Sequence, residues 1–218
     1  MKKQVMIAAL VLVFGLGTVA ADTAQKFWIM PTAGVRGGGS FGISSEELAY
    51  TSFHFSSGFA YGLSFGYRAS PVIAFEAMWS RHSSHVEGRA PASADGATPA
   101  VNEPLFKAME DQFHANVLLS MGYLIGTVKP YFLFGFGMTA VNPDGDLSSV
   151  NRLSWSFGVG AEANLKDRFG LRVQGKFVPT YIKTTPEILL DWDGGFPAAP
   201  TRNNITQWEL QAGLFYRF

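Results

Sequence analysis

Apolar and polar residues alternate with a period of two along eight segments of the chain. This period predicts β-strands, because successive side chains point to opposite faces of a strand. In the last segment the even positions from Trp208 to Phe218 are apolar, and the odd positions are mostly polar or Gly, with Phe215 as the exception. The first segment is weaker, because Trp28 and Met30 lie on its polar face. The segments cover residues 26–37, 59–68, 73–80, 113–123, 132–139, 153–164, 171–181 and 208–218.

The connections between these segments alternate between short and long. Transmembrane β-barrels have this asymmetry, with tight periplasmic turns and longer extracellular loops. An even number of strands also places both termini on the same side, which we expect to be the periplasm. Short connections are predicted at 68–71, 126–129 and 166–169, and long ones at 38–55, 85–110, 142–152 and 184–204.

The two faces of the predicted strands differ in the size of their residues. One face carries mainly Gly, Ala and Ser with a few charges, whereas the other carries Phe, Trp and Leu. A soluble β-sandwich or lipocalin-like barrel would bury its bulky face, but the interior of an eight-stranded barrel is only just wide enough for side chains. We therefore expect the bulky face to meet lipid, in an all-β, eight-stranded, antiparallel up-and-down transmembrane barrel. Aromatic residues near the strand ends fit the two interfacial girdles of such a barrel, namely Trp79, Phe113, Trp155 and Trp208 at one end and Tyr67, Phe169, Tyr216 and Phe218 at the other.

The N-terminus predicts a secretory signal peptide. Lys2 and Lys3 precede an apolar run over residues 5–19, and cleavage after Ala20 or Ala21 fits equally well. The run of about fifteen residues is shorter than the roughly 20 that a membrane-spanning helix needs, which disfavours an N-terminal anchor helix. We therefore expect a signal peptide at 1–21 and one barrel domain at 22–218.

Composition and charge agree with this interpretation. The chain has 24 Gly and 19 Phe but only 16% charged residues. Without Lys2 and Lys3, 15 of the 17 basic residues remain against 17 acidic ones, so the charge gives no case for a nucleic-acid partner. The chain has no cysteine, so we expect closure of the backbone ladder, rather than disulfides, to stabilise it.

These features resemble the small OmpA-like outer-membrane β-barrels, whose relatives include OmpX and the Opa-type proteins. The resemblance covers residues 26–218 and rests on the signal peptide, the eight strands, the loop lengths and the C-terminal sequence Leu214-Phe215-Tyr216-Arg217-Phe218. It implies that Tyr216 and Phe218 form the signal read by the barrel-insertion machinery. The other partners that it implies are outer-membrane lipid and lipopolysaccharide. Because nothing follows Phe218, we expect no periplasmic peptidoglycan-binding domain of the OmpA kind.

Several charged residues fall on the predicted inner face. An unpaired charge in a narrow lumen is costly, so we expect these residues to pair with one another. If the turn at 166–169 closes symmetrically around position 167, Glu162 and Arg172 lie directly opposite, and the pair would stabilise the sheet and plug the pore. The alternative role, ion selectivity in an open channel, suits wider barrels better. The inner-face charges are Glu76, Glu162, Glu209, Arg172, Lys176 and Arg217, with Arg36 as a further member.

Three histidines, His54, His82 and His114, are predicted by parity to point inward near the loop ends of their strands. Converging imidazoles can bind a metal ion or act as a general base, and the small outer-membrane lipid A deacylases and palmitoyltransferases are barrels that use a His. The spacing fits no compact metal motif, however, and residues 205–218 contain neither His nor Ser. We therefore expect solvated polar residues at the rim, with no catalytic residue, metal ion or cofactor.

The long connections are the remaining candidates for function. The Ala- and Pro-rich segment 85–110 is typical of a disordered surface loop, and Gly37-Gly38-Gly39 of a flexible start to the first loop. Segment 184–204 is more apolar, so it either binds an extracellular ligand or folds back over the barrel mouth. The predicted function is a structural or surface-interaction role, with four long extracellular loops on display. The alternatives are a lipid-modifying enzyme of the lipid A deacylase or acyltransferase type, and a narrow channel for small solutes.

Overall fold

The computed structural model describes residues 26–44, 52–90, 101–122, 127–144, 149–181, 199–200 and 204–218. The predicted signal peptide at 1–21 and most of the segment 184–204 lie outside these residues. Within the described ranges, no helix is long and apolar enough to span a membrane.

Eight of the eleven strands in the described residues form a closed barrel. In chain order the strands are β1 (Phe27–Gly38), β2 (Ser40–Ser44), β3 (Ser52–Phe55), β4 (Gly58–Arg68), β5 (Ile73–Ala90), β6 (Val101–Ser120), β7 (Val128–Pro143), β8 (Val150–Asn164), β9 (Phe169–Tyr181), β10 (Ala199–Pro200) and β11 (Asn204–Arg217). The barrel runs from β1 through β4 to β9 and then to β11, and β11 pairs with β1. Every pairing in it is antiparallel. The predicted eight-stranded up-and-down barrel is therefore confirmed.

The bulky face of the strands points away from the lumen. Phe59 on β4 is 63% exposed, whereas its neighbour Ala60 is 2% exposed. On β7, Phe134 is 56% exposed and its neighbour Leu133 is 2% exposed. This alternation confirms that the aromatic face is the outer one, where it can meet lipid.

Three of the large aromatic side chains that point into the lumen each lie across from a glycine. The cross-strand pairs are Trp28 with Gly66, Tyr131 with Gly160, and Phe215 with Gly170. A Cβ atom added at Gly66 would lie 1.9 Å from Cζ2 of the Trp28 ring. The ring therefore occupies the space that a side chain on the facing strand would need. The inward Trp28 and Met30, which weaken the alternation of the first segment, are both buried at 1% exposure.

Two long connections contain more strand than the sequence predicts. β5 continues to Ala90 and β6 begins at Val101, so the expectation of a disordered loop at 85–110 is wrong for its described part. β6 has 20 residues, about twice the 9–11 that cross a bilayer. Inward side chains such as Ser84, Val86 and Ala108 stay buried along this extension. The β5–β6 hairpin therefore continues the barrel wall beyond the membrane-spanning part, and β7 and β8 likewise extend into 142–152.

The segment 38–55, predicted to be a loop, carries β2 and β3. Gly38 and Gly39 have φ angles of 78° and 95°, a left-handed conformation that glycine adopts without strain, so the chain bends there and continues as β2. β3 then pairs with β2 and with β5. The alternation changes phase between β3 and β4, because residues 56–57 belong to neither strand, so Phe53 and Phe55 are buried and His54 is exposed. The predicted inward position of His54 is therefore wrong.

The short connections lie together at one end of the barrel, which we call the short-turn end. The connections at 69–72 and 165–168 agree with the prediction. The third covers 121–127 rather than 126–129, because β6 ends at Ser120. Phe27 and Phe218 exchange two backbone hydrogen bonds of 3.2 and 2.9 Å at this end and complete the closure of β1 against the last strand. The opposite end is called the long-loop end.

Candidate functional site

Glu209 lies at the centre of a buried charge cluster in the lumen. Nε of Arg36 donates a hydrogen bond to Oε2 of Glu209 at 2.8 Å, and Nη2 of Arg36 lies 2.7 Å from the same oxygen. Nζ of Lys176 lies 3.5 Å from that oxygen, and Oγ of Ser80 donates to Oε1 at 3.1 Å. The carboxylate therefore contacts two cations in a part of the lumen where all four side chains are buried.

A second carboxylate, Glu110, extends this cluster toward the long-loop end. Nε2 of Gln207 donates to Oε2 of Glu110 at 2.7 Å, and Nε2 of Gln112 donates to Oε1 of Gln207 at 3.2 Å. Nη1 of Arg36 lies 4.0 Å and Nδ1 of His82 3.7 Å from the same Glu110 oxygen. Glu110 is not among the inner-face charges predicted from the sequence, because it falls in the segment 85–110 that was predicted to be a loop. The signal that could have found it is the period-two alternation, which continues from 113–123 back to this residue.

Arg172 and Glu162 belong to a separate cluster nearer the short-turn end. They are cross-strand partners on β9 and β8, and Nη2 of Arg172 lies 3.6 Å from Oε2 of Glu162. Arg172 makes its shortest contact with Glu76, from Nη1 to Oε2 at 2.5 Å. Glu162 makes shorter contacts with Nη2 of Arg68 at 2.6 Å and with Nη2 of Arg217 at 3.1 Å. The facing pair thus also makes ion pairs with three residues on strands distant in sequence. These contacts could not be predicted from the register of the β8–β9 hairpin alone.

Two apolar clusters bracket the charge cluster around Glu209. The cluster at the short-turn end consists of Trp28, Met30, Ala74, Leu118, Tyr131, Leu133 and Phe215. The cluster at the long-loop end consists of Phe53, Phe55, Val86, Ala108 and Ile205, with Leu105, Phe106 and Val141 packed against it. A polar layer therefore lies between two apolar layers along the lumen.

The inward histidines are buried rather than solvated. His82 is 0% and His114 3% exposed, so the expectation of solvated rim residues is wrong for both. Nε2 of His114 lies 3.0 Å from Oγ of Ser154, which is the contact that a base makes with a nucleophile. Within the described residues Nδ1 of His114 has no hydrogen-bond partner, and Ser154 is 0% exposed. This pair therefore has neither an orienting acid nor access for a substrate, and the described ranges hold no group of three potential metal ligands.

Tyr216 and Phe218 lie at the short-turn end among aromatic residues of the outer face. The ring centroids of Tyr216 and Phe218 are 6.2 Å apart, and those of Phe27 and Phe218 are also 6.2 Å apart. Nη1 of Arg168 donates to the hydroxyl of Tyr216 at 3.3 Å. Phe218 is half exposed, so its ring is accessible from outside the barrel.

Comparisons with known proteins agree with this architecture. A family model described as "Outer membrane protein beta-barrel domain" matches residues 6–218. The chain is similar in structure to Neisserial surface protein A, with 17% identity, 88% of this chain and 97% of that chain covered, and a TM-score of 0.55. It is also similar to the outer membrane protein OprG from Pseudomonas aeruginosa (14% identity, 92% and 99% covered, TM-score 0.57) and to the outer membrane protein AlkL (14%, 93% and 94%, TM-score 0.54). At these identities the similarity shows the fold alone, and no curated protein sequence matches the chain.

Proposed function

The chain belongs to the outer membrane protein β-barrel family and lies in the outer membrane, and from this premise we propose that it is a closed scaffold with a structural or surface-interaction role. Short turns of such barrels face the periplasm, so the long-loop end is directed to the outside of the cell. The surface available to an extracellular ligand is then the extended β5–β6 hairpin together with the four connections at the same end, at 39–57, 91–100, 144–149 and 182–203.

The burial of the lumen charges carries this proposal. Arg36 is 0% exposed, and Lys176 and Glu209 are each 2% exposed. Side chains that line a water-filled pore would be exposed to the water inside it. The interior of an eight-stranded barrel is only just wide enough for side chains, so these residues and the two apolar clusters fill it. We therefore expect the barrel to conduct no steady ion current.

Planar-bilayer recording tests the closed lumen. The protein is inserted from a sample whose unheated band on a gel migrates differently from the boiled one, which is the signature of a folded barrel. We expect a flat current trace, whereas a 16-stranded porin inserted in the same membrane gives regular steps. Regular single-channel steps from this protein would support the narrow-channel alternative and overturn the closed scaffold.

The positions of His114 and Ser154 disfavour the lipid-modifying enzyme. A lipid substrate approaches the outer surface of a barrel, whereas both of these side chains are buried in the lumen. Lipid A extracted from cells that express the protein is therefore expected to keep its mass. A mass change equal to one acyl chain would support the enzyme and contradict the scaffold role.

The partners that we propose follow from the outer face. The exposed aromatic residues at the two ends fit the lipid interfaces, so outer-membrane phospholipid and lipopolysaccharide surround the barrel. The accessible ring of Phe218, with Tyr216 beside it, supports the proposal that the last strand carries the signal for the insertion machinery.

A further inference from the structure

The short-turn end of the lumen holds several cations around one carboxylate. Nη2 of Arg68 lies 2.6 Å from Oε1 of Glu162, and Nη2 of Arg217 lies 3.1 Å from Oε2. Lys129 is the cross-strand partner of Glu162 on β7. Arg172 lies 3.6 Å from the same carboxylate and 2.5 Å from Glu76, so the three guanidinium groups face two carboxylates and the group carries a net positive charge.

Aromatic rings form a rigid floor under these cations. The guanidinium carbon of Arg217 lies 4.5 Å from the ring centroid of Phe215, and that of Arg68 lies 5.8 Å from the ring centroid of Trp28. Such cation–π contacts hold the guanidinium groups in place. Phe215 and Trp28 are each 1% exposed, whereas the side chains of Arg68 and Arg217 are 18% and 16% exposed. The residues therefore form a cup that is closed toward the lumen and open at the short-turn end.

Several hydrogen-bond donors in the cup have no acceptor among the described residues. They are Nη1 of Arg68 and both Nε and Nη2 of Arg172. A buried guanidinium N–H that lacks an acceptor is unfavourable, and an anionic oxygen is its strongest partner. Glu162 already uses one oxygen for Arg68 and the other for Arg217. An anion with several oxygens could accept hydrogen bonds from these donors, which lie on different strands.

We propose that this cup binds a phosphate group. A tetrahedral phosphate offers several oxygens to donors that come from different strands, and the planar fork of a guanidinium matches it in bidentate geometry. The phosphate comes either from an anionic phospholipid headgroup of the facing leaflet or from free phosphate. Exposed Phe27, Tyr67 and Phe218 place this end of the barrel at the depth of the headgroups. The site goes beyond the scaffold role and does not depend on whether the lumen conducts.

Inorganic phosphate is the probe for a free-phosphate site. The folded protein in zwitterionic micelles is titrated with sodium phosphate at constant ionic strength, and calorimetry gives the affinity. Arg217→Gln removes one cation of the cup, and Lys129→Gln does the same if Arg217→Gln gives no folded band on an unheated gel. Lys107→Gln, which removes an exposed cation on β6 at the long-loop end, is the matched control. We expect the cup variants to bind phosphate about tenfold more weakly or worse, since each loses a charge-assisted contact, and the control to bind it like the unmodified chain.

Phosphatidylglycerol and phosphatidylcholine are the probes for a headgroup site. Native mass spectrometry of protein released from mixed micelles counts the lipids that remain bound to the unmodified chain and to each variant. If the unmodified chain retains phosphatidylglycerol but not phosphatidylcholine, and the cup variants retain neither, the headgroup is the source of the phosphate. If calorimetry shows that the unmodified chain binds inorganic phosphate about tenfold more tightly than the cup variants, the site binds free phosphate. Equal binding by the unmodified chain and the cup variants in both experiments overturns the proposal, as does an equal loss in Lys107→Gln.

Discussion

Replacing Glu209 by glutamine tests whether the buried charges of the lumen stabilise the barrel. The substitution keeps the size of the side chain, so it leaves no cavity and removes only the negative charge. The oxygen that Arg36 contacts at 2.8 and 2.7 Å and Lys176 at 3.5 Å then carries no negative charge. Removing one partner of a buried ion pair costs about 3–5 kcal/mol, because the other charge stays uncompensated away from water. We therefore expect Glu209→Gln to lower the free energy of unfolding by about 3–5 kcal/mol.

Equilibrium unfolding in urea, followed by tryptophan fluorescence in lipid vesicles, measures this change. Glu103→Gln is the control, because Glu103 is an exposed carboxylate on β6, and surface ion pairs contribute about 0–1 kcal/mol. Adding Lys176→Met to Glu209→Gln removes the excess cation and is expected to recover part of the loss. A loss below about 1 kcal/mol for Glu209→Gln, in the range of a surface pair, would refute the reasoning. So would a double variant that is less stable than the single one.

Three further substitutions or measurements test other parts of the barrel. Arg172→Ala is expected to cost about 3–5 kcal/mol of unfolding free energy, because it leaves two buried carboxylates without this cation; unchanged stability and unchanged conductance would show that the cluster is unimportant. Gly66→Ala is expected to cost about 1–3 kcal/mol through overpacking against the Trp28 ring, whereas Gly175→Ala, whose added Cβ meets only an atom 3.9 Å away, is expected to be nearly neutral in the same urea titration. In single-tryptophan variants, brominated lipid is expected to quench Trp155, which is 45% exposed on the outer face, and to spare Trp28, which is 1% exposed; equal quenching would contradict the assignment of the two faces.

The sequence predicted the barrel well, because its evidence is repeated on every strand. Each strand carries the same alternation of small inward and bulky outward residues, so one irregular strand does not change the strand count. The facing positions of Glu162 and Arg172 were also predictable, since they depend only on a short turn of four residues, 165–168.

The sequence-based predictions were wrong where the alternation changes phase, or where the amino-acid composition of a strand is typical of a loop. His54 lies before the break at residues 56–57, so its parity relative to β4 had no meaning. Glu110 lies in a part of β6 that extends past the bilayer, at the end of the segment 85–110 whose Ala and Pro content suggests a loop. Strand pairing with β5 and β7, which the sequence does not display, keeps this extension regular.

The irregularity of the first strand has a structural cause that only the pairing reveals. Trp28 interrupts the polar face of its own strand, but its ring fills the space that Gly66 leaves on the neighbouring strand. Phe215 interrupts the last strand in the same way and lies over Gly170. These two rings are also the ones that support the guanidinium groups of the short-turn end. Trp28 and Phe215, which weaken the alternation of their strands, therefore close the lumen and form the floor of the charged cup. A regular strand with small inward residues would supply neither this floor nor the cation–π contacts.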